Sequence, residues 1–286
     1  MDLAALRPEL LAHCYRMLGS IHDAEDAVQE TLVRAWRGYD GFEGRASPRR
    51  WAYAIATRVC LTALDQRTRR ALPSGLGTDE VAWLEPLPDA LLHTGTPDPA
   101  GLALARSGIR LAFVAALQHL SPRQRSALVL GDVLGWPVAE VAEALGTTPA
   151  SVNSALQRAR AQLRRLDLDE DQIAEPAPGV LDRYAAAFEA ADLPTLAGLL
   201  SADVTLEMPP RPDWYAGRDA TLAFLRTNVL RPGAWQLIPA RANNQPAFIV
   251  NEADGTPHGL QVLDIHDGRL TRLFAFLDPA LARRAG

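Results

Sequence analysis

At 286 residues, 48% hydrophobic and 22% charged, the chain has room for two or three small soluble domains with ordinary cores. No apolar run is long enough to span a membrane, and the N-terminus lacks the charged-then-apolar layout of a secretory signal, so a cytoplasmic protein is expected. The net charge of −5 would argue against nucleic acid, but residues 1–72 carry 11 arginines against 9 acids and residues 109–166 carry 7 against 3, whereas residues 167–286 carry 10 against 17.

All 29 basic residues are arginine. A GC-rich coding sequence accounts for that, and the arginine fork also suits phosphate and guanine. Cys14 and Cys60 lack CxxC spacing, and the six histidines are scattered, so buried thiols and no metal are expected. HExxH, P-loop and GxSxG motifs are absent, and no cofactor is implied.

In chain order, "LRPELLAHCYRMLGS" reads as a helix ending near Gly19. In the next segment Ala24, Ala27, Val28, Thr31, Leu32, Ala35 and Trp36 recur at helical spacing behind Asp23 as N-cap. A turn, "GFEGRAS", leads to a third helix from Ser47-Pro48 to about Arg70. Residues 45–70 hold seven arginines and one acid, while residues 23–30 hold four acids and no base. Trp51 and Arg58, seven apart, share a helix face, and an aromatic beside arginines can hold unstacked bases. The same face also suits an anchor inside a three-helix bundle. Tyr53 lies nearly opposite and is expected to pack.

Residues 73–107 have the Pro, Gly and acid content of a linker, yet contain "VAWLEPLPDALL", whose Trp83 and leucines predict a docked segment. Helices resume over 108–166. There "GWPVAEVAEALG" gives a short amphipathic helix and a glycine turn. Thr148-Pro149 then opens a helix whose packing face is Val152, Ala155, Leu156, Ala159 and Leu163. This is the helix-turn-helix pattern. Ser151, Asn153, Ser154 and Gln157 near the helix start would reach base edges, and Arg158, Arg160 and Arg164 would meet phosphates. Two bundle helices with a solvated face would show the same periodicity. Residues 167–178 form an acidic linker, and residues 179–286 mix helical and strand-like runs, with Asp267-Gly268 as a hairpin signal.

"DAEDAVQETLVRAWRGYDGFEGRASPRRWAYAIATRVCLTAL" resembles region 2 of a sigma-70 family factor of the extracytoplasmic-function group. "LSPRQRSALVLGDVLGWPVAEVAEALGTTPASVNSALQRARAQLRR" resembles its region 4. The resemblance implies two all-α domains, over 1–72 and 108–166, that bind core RNA polymerase and promoter DNA. By position, Asp23, Glu25, Asp26, Gln29 and Glu30 would meet the polymerase. The loop bearing Arg45 and the helix bearing Arg49, Arg50, Trp51 and Arg58 would recognise and melt the −10 element. The helix from Pro149 would read the −35 element. Asn153 and Ala155 stand where many members are basic, which leaves the −35 sequence open.

Residues 179–286 resemble the SnoaL-like, NTF2-like superfamily, which implies an α+β domain with a curved sheet around an apolar pocket. Tyr184, Phe188, Met208, Trp214 and Phe248 are its candidate lining, or simply its core. Ketosteroid isomerases of that superfamily use a tyrosine, matched by Tyr184, and an aspartate whose place Met208 takes. A thioether abstracts no proton, so a non-enzymatic domain is expected. His258, His266 or Asp264 would have to replace that base. "WLEPLP" also resembles a linker motif of sigma factors with such tails, which gives Trp83, Leu84, Glu85 and Pro86 a regulatory role. The leading expectation is a promoter-specificity subunit modulated by intramolecular contact with its own tail. A stand-alone regulator sensing a small molecule, and a SnoaL-type enzyme with a helical appendage, are the alternatives.

Overall fold

The computed structural model describes residues 3–42, 47–65, 70–71, 82–92, 99–165, 178–209, 211 and 213–286. They divide into two compact units. A helical unit takes the described residues through 87 and residues 91–165, and a sheet unit takes 88–90 and 178–286.

In the helical unit, α1 (Arg7–Leu18) stops where expected: Gly19 adopts the left-handed φ of 69° that closes a helix C-terminus. Helix α2 (Ile21–Gly38) starts before the expected cap, because the Ser20 side chain accepts from the Asp23 N–H at 3.2 Å. Ser47 caps α3 (Pro48–Leu64) as expected. That helix ends well short of Arg70, which instead forms strand β1 (Arg70–Ala71), parallel to β2 (Ala82–Trp83). The remaining helices are α4 (Pro99–Arg106), α5 (Leu111–Gln118), α6 (Pro122–Leu128), α7 (Val138–Leu145) and α8 (Pro149–Arg164). Helix α4 lies inside the stretch expected to be linker; Pro99 suits a first turn and "GLALA" is strongly helix-forming.

Helix α1 is the hub: every residue from Glu9 to Leu18 is buried. Its polar members are therefore bonded internally. Glu9 accepts from Arg49 Nε at 2.7 Å and from the Tyr53 hydroxyl at 3.1 Å. Arg16 donates from Nε to Ser107 O at 3.0 Å, and from Nη2 to Leu104 O at 2.7 Å and Ala105 O at 3.0 Å. It thus places a cation on the C-terminal carbonyls of α4. Arg125 does the same from α6, donating to Met17 O, to Gln118 Oε1 at 2.7 Å and to Gln118 O at 3.2 Å. Cys14 and Cys60 are buried free thiols, as expected.

His13, fully buried and bonded through Nε2 to Thr57 Oγ1 at 2.9 Å, is pushed down to about 3 by burial and then by the Arg16 charge. Its folded value lies below the unfolded 6.5, so between these values the unfolded chain binds the extra proton. The stability is present above pH 6.5 and is lost as pH falls toward 3, by about 1.4 kcal/mol per unit within that window. Urea unfolding at pH 6 and pH 5 should show that slope reduced by about this amount in His13→Gln.

The sheet unit contains α9 (Val180–Glu189), α10 (Leu193–Leu199), α11 (Arg218–Asn228) and α12 (Pro279–Ala285). Its strands are β3 (Leu200–Glu207), β4 (Trp214–Ala216), β5 (Trp235–Ala242), β6 (Gln245–Glu252), β7 (Pro257–His266) and β8 (Arg269–Phe276). They form one mixed sheet in the order β4-β3-β8-β7-β6-β5, parallel only between β3 and β8. Asp267-Gly268 makes the expected hairpin, with φ of 49° and 73°. Asn243-Asn244 makes a second, with φ of 57° and 55°. One sheet face and helices α9 to α11 enclose an apolar core that includes Tyr184, Phe188, Met208 and Phe248. Among the described residues no single helix is long and apolar enough to cross a membrane.

Candidate nucleic-acid interface and third-domain cavity

Gly146, with φ of 61°, turns the chain from α7 toward α8. The Thr148 side chain then accepts from the Ser151 N–H at 3.2 Å. Val152, Leu156 and Ala159 are buried, which fixes the rotation of α8. Ser151, Asn153, Ser154, Gln157, Arg158, Arg160 and Arg164 are consequently all exposed. The exposed Arg160 also rests its fork on Asp132 at 2.8 and 2.6 Å, bracing the π-helical turn Val129–Val133. The Asp132 hydrogen bond and charge raise the Arg160 pKa further.

The arginine-rich face of α3 is already engaged. Arg50 pairs with Glu140 of α7 and lies over the Trp136 ring, 5.7 Å from its centroid. Arg58 Nε donates to Ala144 O at 3.2 Å, also on α7. Arg49 is held by buried Glu9, with Nη2 at 2.6 Å from Oε2. Trp51 stays partly exposed, its ring 4.9 Å from that of Phe42 and against the backbone of Gly38. Tyr53 is buried as expected. Arg45 lies outside the described residues.

On α2, Asp26, Gln29 and Glu30 are exposed and Asp23 and Glu25 are half-buried. Glu30 pairs with Arg34 at 2.6 Å one turn on, and Glu25 with Arg7 at 3.7 Å. Trp36, the last residue of the helical repeat, is 76% exposed, beside Val33 and Tyr39, also exposed. Neighbouring Ala35 is fully buried, so Trp36 stands at the edge of the packed stripe rather than past its end. The acidic face therefore carries an aromatic patch.

The linker segment docks as expected. Leu84 and Leu87 are buried. The Glu85 backbone receives the Tyr15 hydroxyl at 2.7 Å, and its N–H donates to Gly19 O at 3.1 Å. Its carboxylate accepts from Ser20 Oγ at 2.8 Å and from the Ile21 N–H at 2.9 Å. A negative charge thus sits on the first turn of α2, where the helix dipole favours it. Trp83 is half-buried, and Pro86 lies in the same docked stretch. In the sheet unit, Asp89 accepts from the Asn244 N–H at 2.9 Å.

The sheet unit holds a cavity of about 320 Å³. Tyr184, Phe188 and Met208 line it as expected. Trp214 does not: it is 46% exposed on edge strand β4, and Tyr215 turns inward instead to stack on Phe224 at 4.3 Å. Phe248 stands behind the wall, its ring 5.9 Å from that of Tyr184. Phe224, Trp235 and Gln261 line the cavity but carried no sequence signal. Tyr184 donates to Gln261 Oε1 at 3.0 Å, and burial raises its phenol pKa. Of the residues weighed as a substitute base, Asp264 accepts from Gln245 Nε2 at 2.8 Å and His266 is exposed beside Asp267, both off the cavity; His258 lines it. Among the described residues no cluster of three or more His, Cys, Asp or Glu is arranged to hold a metal.

Comparison with known proteins gives matches of the same two helical segments. A family model of sigma-70 region 2 matches residues 3–70, and one of sigma-70 region 4 matches residues 110–163. The ECF RNA polymerase sigma factor SigG of Mycobacterium tuberculosis is 49% identical over 98% of this chain and 81% of its own length. SigJ of the same organism is 33% identical over 96% of this chain and 86% of its own. The crystal structure of that SigJ aligns with a TM-score of 0.67 at 29% identity, covering 99% of this chain and 98% of the other.

Proposed function

Since this chain belongs to the extracytoplasmic-function group of sigma-70 RNA polymerase sigma factors, we propose specific roles for its surfaces within promoter recognition and a regulatory role for its sheet domain. Residues 1–72 act as region 2, residues 108–166 as region 4, and residues 179–286 as the regulatory domain. Residues 73–107 and 167–178 connect them. The observation that carries this reading is α8: a capped helix whose side chains suited to bases and phosphates all face solvent while its apolar stripe is packed. Ser151, Asn153, Ser154 and Gln157 read −35 base edges, and Arg158 and Arg164 hold phosphates. Arg160 holds a phosphate as well, in exchange for its exposed pair with Asp132. On α2 the acids Asp23, Glu25, Asp26 and Glu30 with Gln29 form the polymerase face, and exposed Trp36 supplies its apolar anchor.

Trp51 stacks on a −10 base, with Arg45, Arg50 and Arg58 on the adjoining strand. Arg49 shapes this surface through Glu9. Arg50 and Arg58 are drawn onto α7 by these contacts, so parting of region 2 and region 4 frees them for the −10 element. Glu140→Gln weakens the Arg50 contact. An exposed pair contributes roughly 0.2–1 kcal/mol, so transcript yield at limiting factor should rise by about 1.4- to 5-fold. An unchanged yield would mean that this pair plays no part in restraining the two regions.

The sheet domain and the segment Trp83, Leu84, Glu85 and Pro86 set how readily that parting occurs, through intramolecular contact. The chain works in the cytoplasm, where polymerase and promoters are. The test is run-off transcription with core polymerase on promoters selected from a random library. The full chain and a version ending at 166 are compared. Promoter-specific transcripts from both, differing in yield, support the reading. Equal yields would remove the regulatory role. Specific duplex binding without polymerase, and no transcript from either, would favour a stand-alone regulator.

A further inference from the structure

The cavity of the sheet domain has one polar feature that its apolar core does not need. Gln261 sits on the enclosed face of β7 between Phe248 of β6 and Ala275 of β8, its cross-strand neighbours. It is 8% exposed, lines the cavity, and uses Oε1 to accept from Tyr184. Among the described residues nothing accepts a hydrogen bond from its Nε2. That amide lines the cavity, so an acceptor placed in the cavity can take its hydrogen bond.

The rest of the wall defines what kind of molecule brings that acceptor. Phe188, Phe224, Trp235 and Phe276 supply aromatic surface, and Leu206 and Met208 supply flexible apolar filling. The first residues of β7, the loop after β3 and the end of β8 lie at one end of the sheet, because β8 runs parallel to β3 and antiparallel to β7. Arg211, His258 and Leu277 therefore mark the mouth, and Gln261 lies deeper. Arg211 at the mouth disfavours a cation. Among the described residues lining the cavity none is a carboxylate, thiol or aliphatic hydroxyl. The volume of about 320 Å³ corresponds to about ten groups the size of a water molecule at its liquid volume of about 30 Å³.

We propose that this cavity binds a ring-bearing apolar compound of about ten to fifteen heavy atoms whose carbonyl oxygen accepts from Gln261 Nε2, and holds it without chemical change. Tyr184 is a positioning residue: its hydroxyl, spent on Oε1, turns the Gln261 amide so that Nε2 faces inward. The inference rests on reading the sheet domain as a regulatory module and names the class of compound it would sense.

Three compounds of one skeleton test this on the purified full chain by calorimetry: 2-acetonaphthone, 2-ethylnaphthalene and 1-(2-naphthyl)ethylamine. The ketone should bind about tenfold more tightly than the hydrocarbon, the factor one hydrogen bond supplies, and the ammonium should not bind. Gln261→Leu should bring the ketone down to the affinity of the hydrocarbon. Equal binding of ketone and hydrocarbon to the unaltered chain, tightest binding by the ammonium, or no heat from any of them at about millimolar concentration would each overturn the proposal. Because that comparison uses the unaltered chain, it stands even if the variant folds poorly. Run-off transcription with the ketone separates the two readings. Binding without any change in transcript leaves the site and removes its regulatory meaning. A tail-dependent change in transcript with no binding of the ketone does the reverse.

Discussion

Trp51→Ala is expected to lower promoter-specific run-off transcription by about 5- to 150-fold, the range set by roughly 1–3 kcal/mol of stacking on one base. The residue is placed for that loss to be specific. Its ring leans on Phe42 and Gly38 at the end of α2, while the core of region 2 is built by Ala52, Tyr53 and Ala56 on the other side of α3. Affinity for core polymerase should therefore be nearly unchanged. Transcription at the unaltered level would show that Trp51 only packs against Phe42. Loss of polymerase binding in parallel would show that the substitution damaged the fold.

Arg16→Leu should destabilise the helical unit by about 1–3 kcal/mol or more, the cost of leaving a buried carbonyl without its donor. Three carbonyls at the end of α4 lose their donor, and the replacement offers none. Burial, partly offset by Tyr53, already pushes the Arg16 guanidinium down to about 10, which reflects how thoroughly water is excluded there. Urea unfolding followed by circular dichroism reads the change. A loss below about 1 kcal/mol would mean that other donors or water replace the arginine.

The helix-turn-helix was legible because local rules agree there. Thr148 caps, Pro149 opens, Gly146 turns and the stripe Val152, Leu156, Ala159 packs, each within a few residues of the next. The expected α+β tail was equally legible from strand alternation and one Asp-Gly turn. What failed depended on distant partners. Trp36 shares the period of α2 yet stands at the edge of the face that the other helices cover. Trp214 opens the edge strand β4 and is 46% exposed there. Helix α4 looked like linker because its anchor, Arg16, is far away in sequence. The engagement of Arg50 and Arg58 by α7, and the pairing of Arg160 with Asp132, likewise join residues that no spacing rule connects. Sequence named the side chains of the proposed −10 surface but could not show that some of them are already engaged within the chain.

The buried contact from Arg125 on α6 to the Met17 carbonyl of α1 joins region 4 to region 2 in the same way as the arginines of α3. If the two regions must part for promoter binding, only the fraction of molecules in which these contacts are open is competent. The measured dissociation constant of the polymerase-bound factor for its promoter is then the intrinsic one divided by that fraction. Two such factors with identical polymerase-binding and DNA-reading residues would compete unequally for a shared promoter, ranked by the internal contacts each must release.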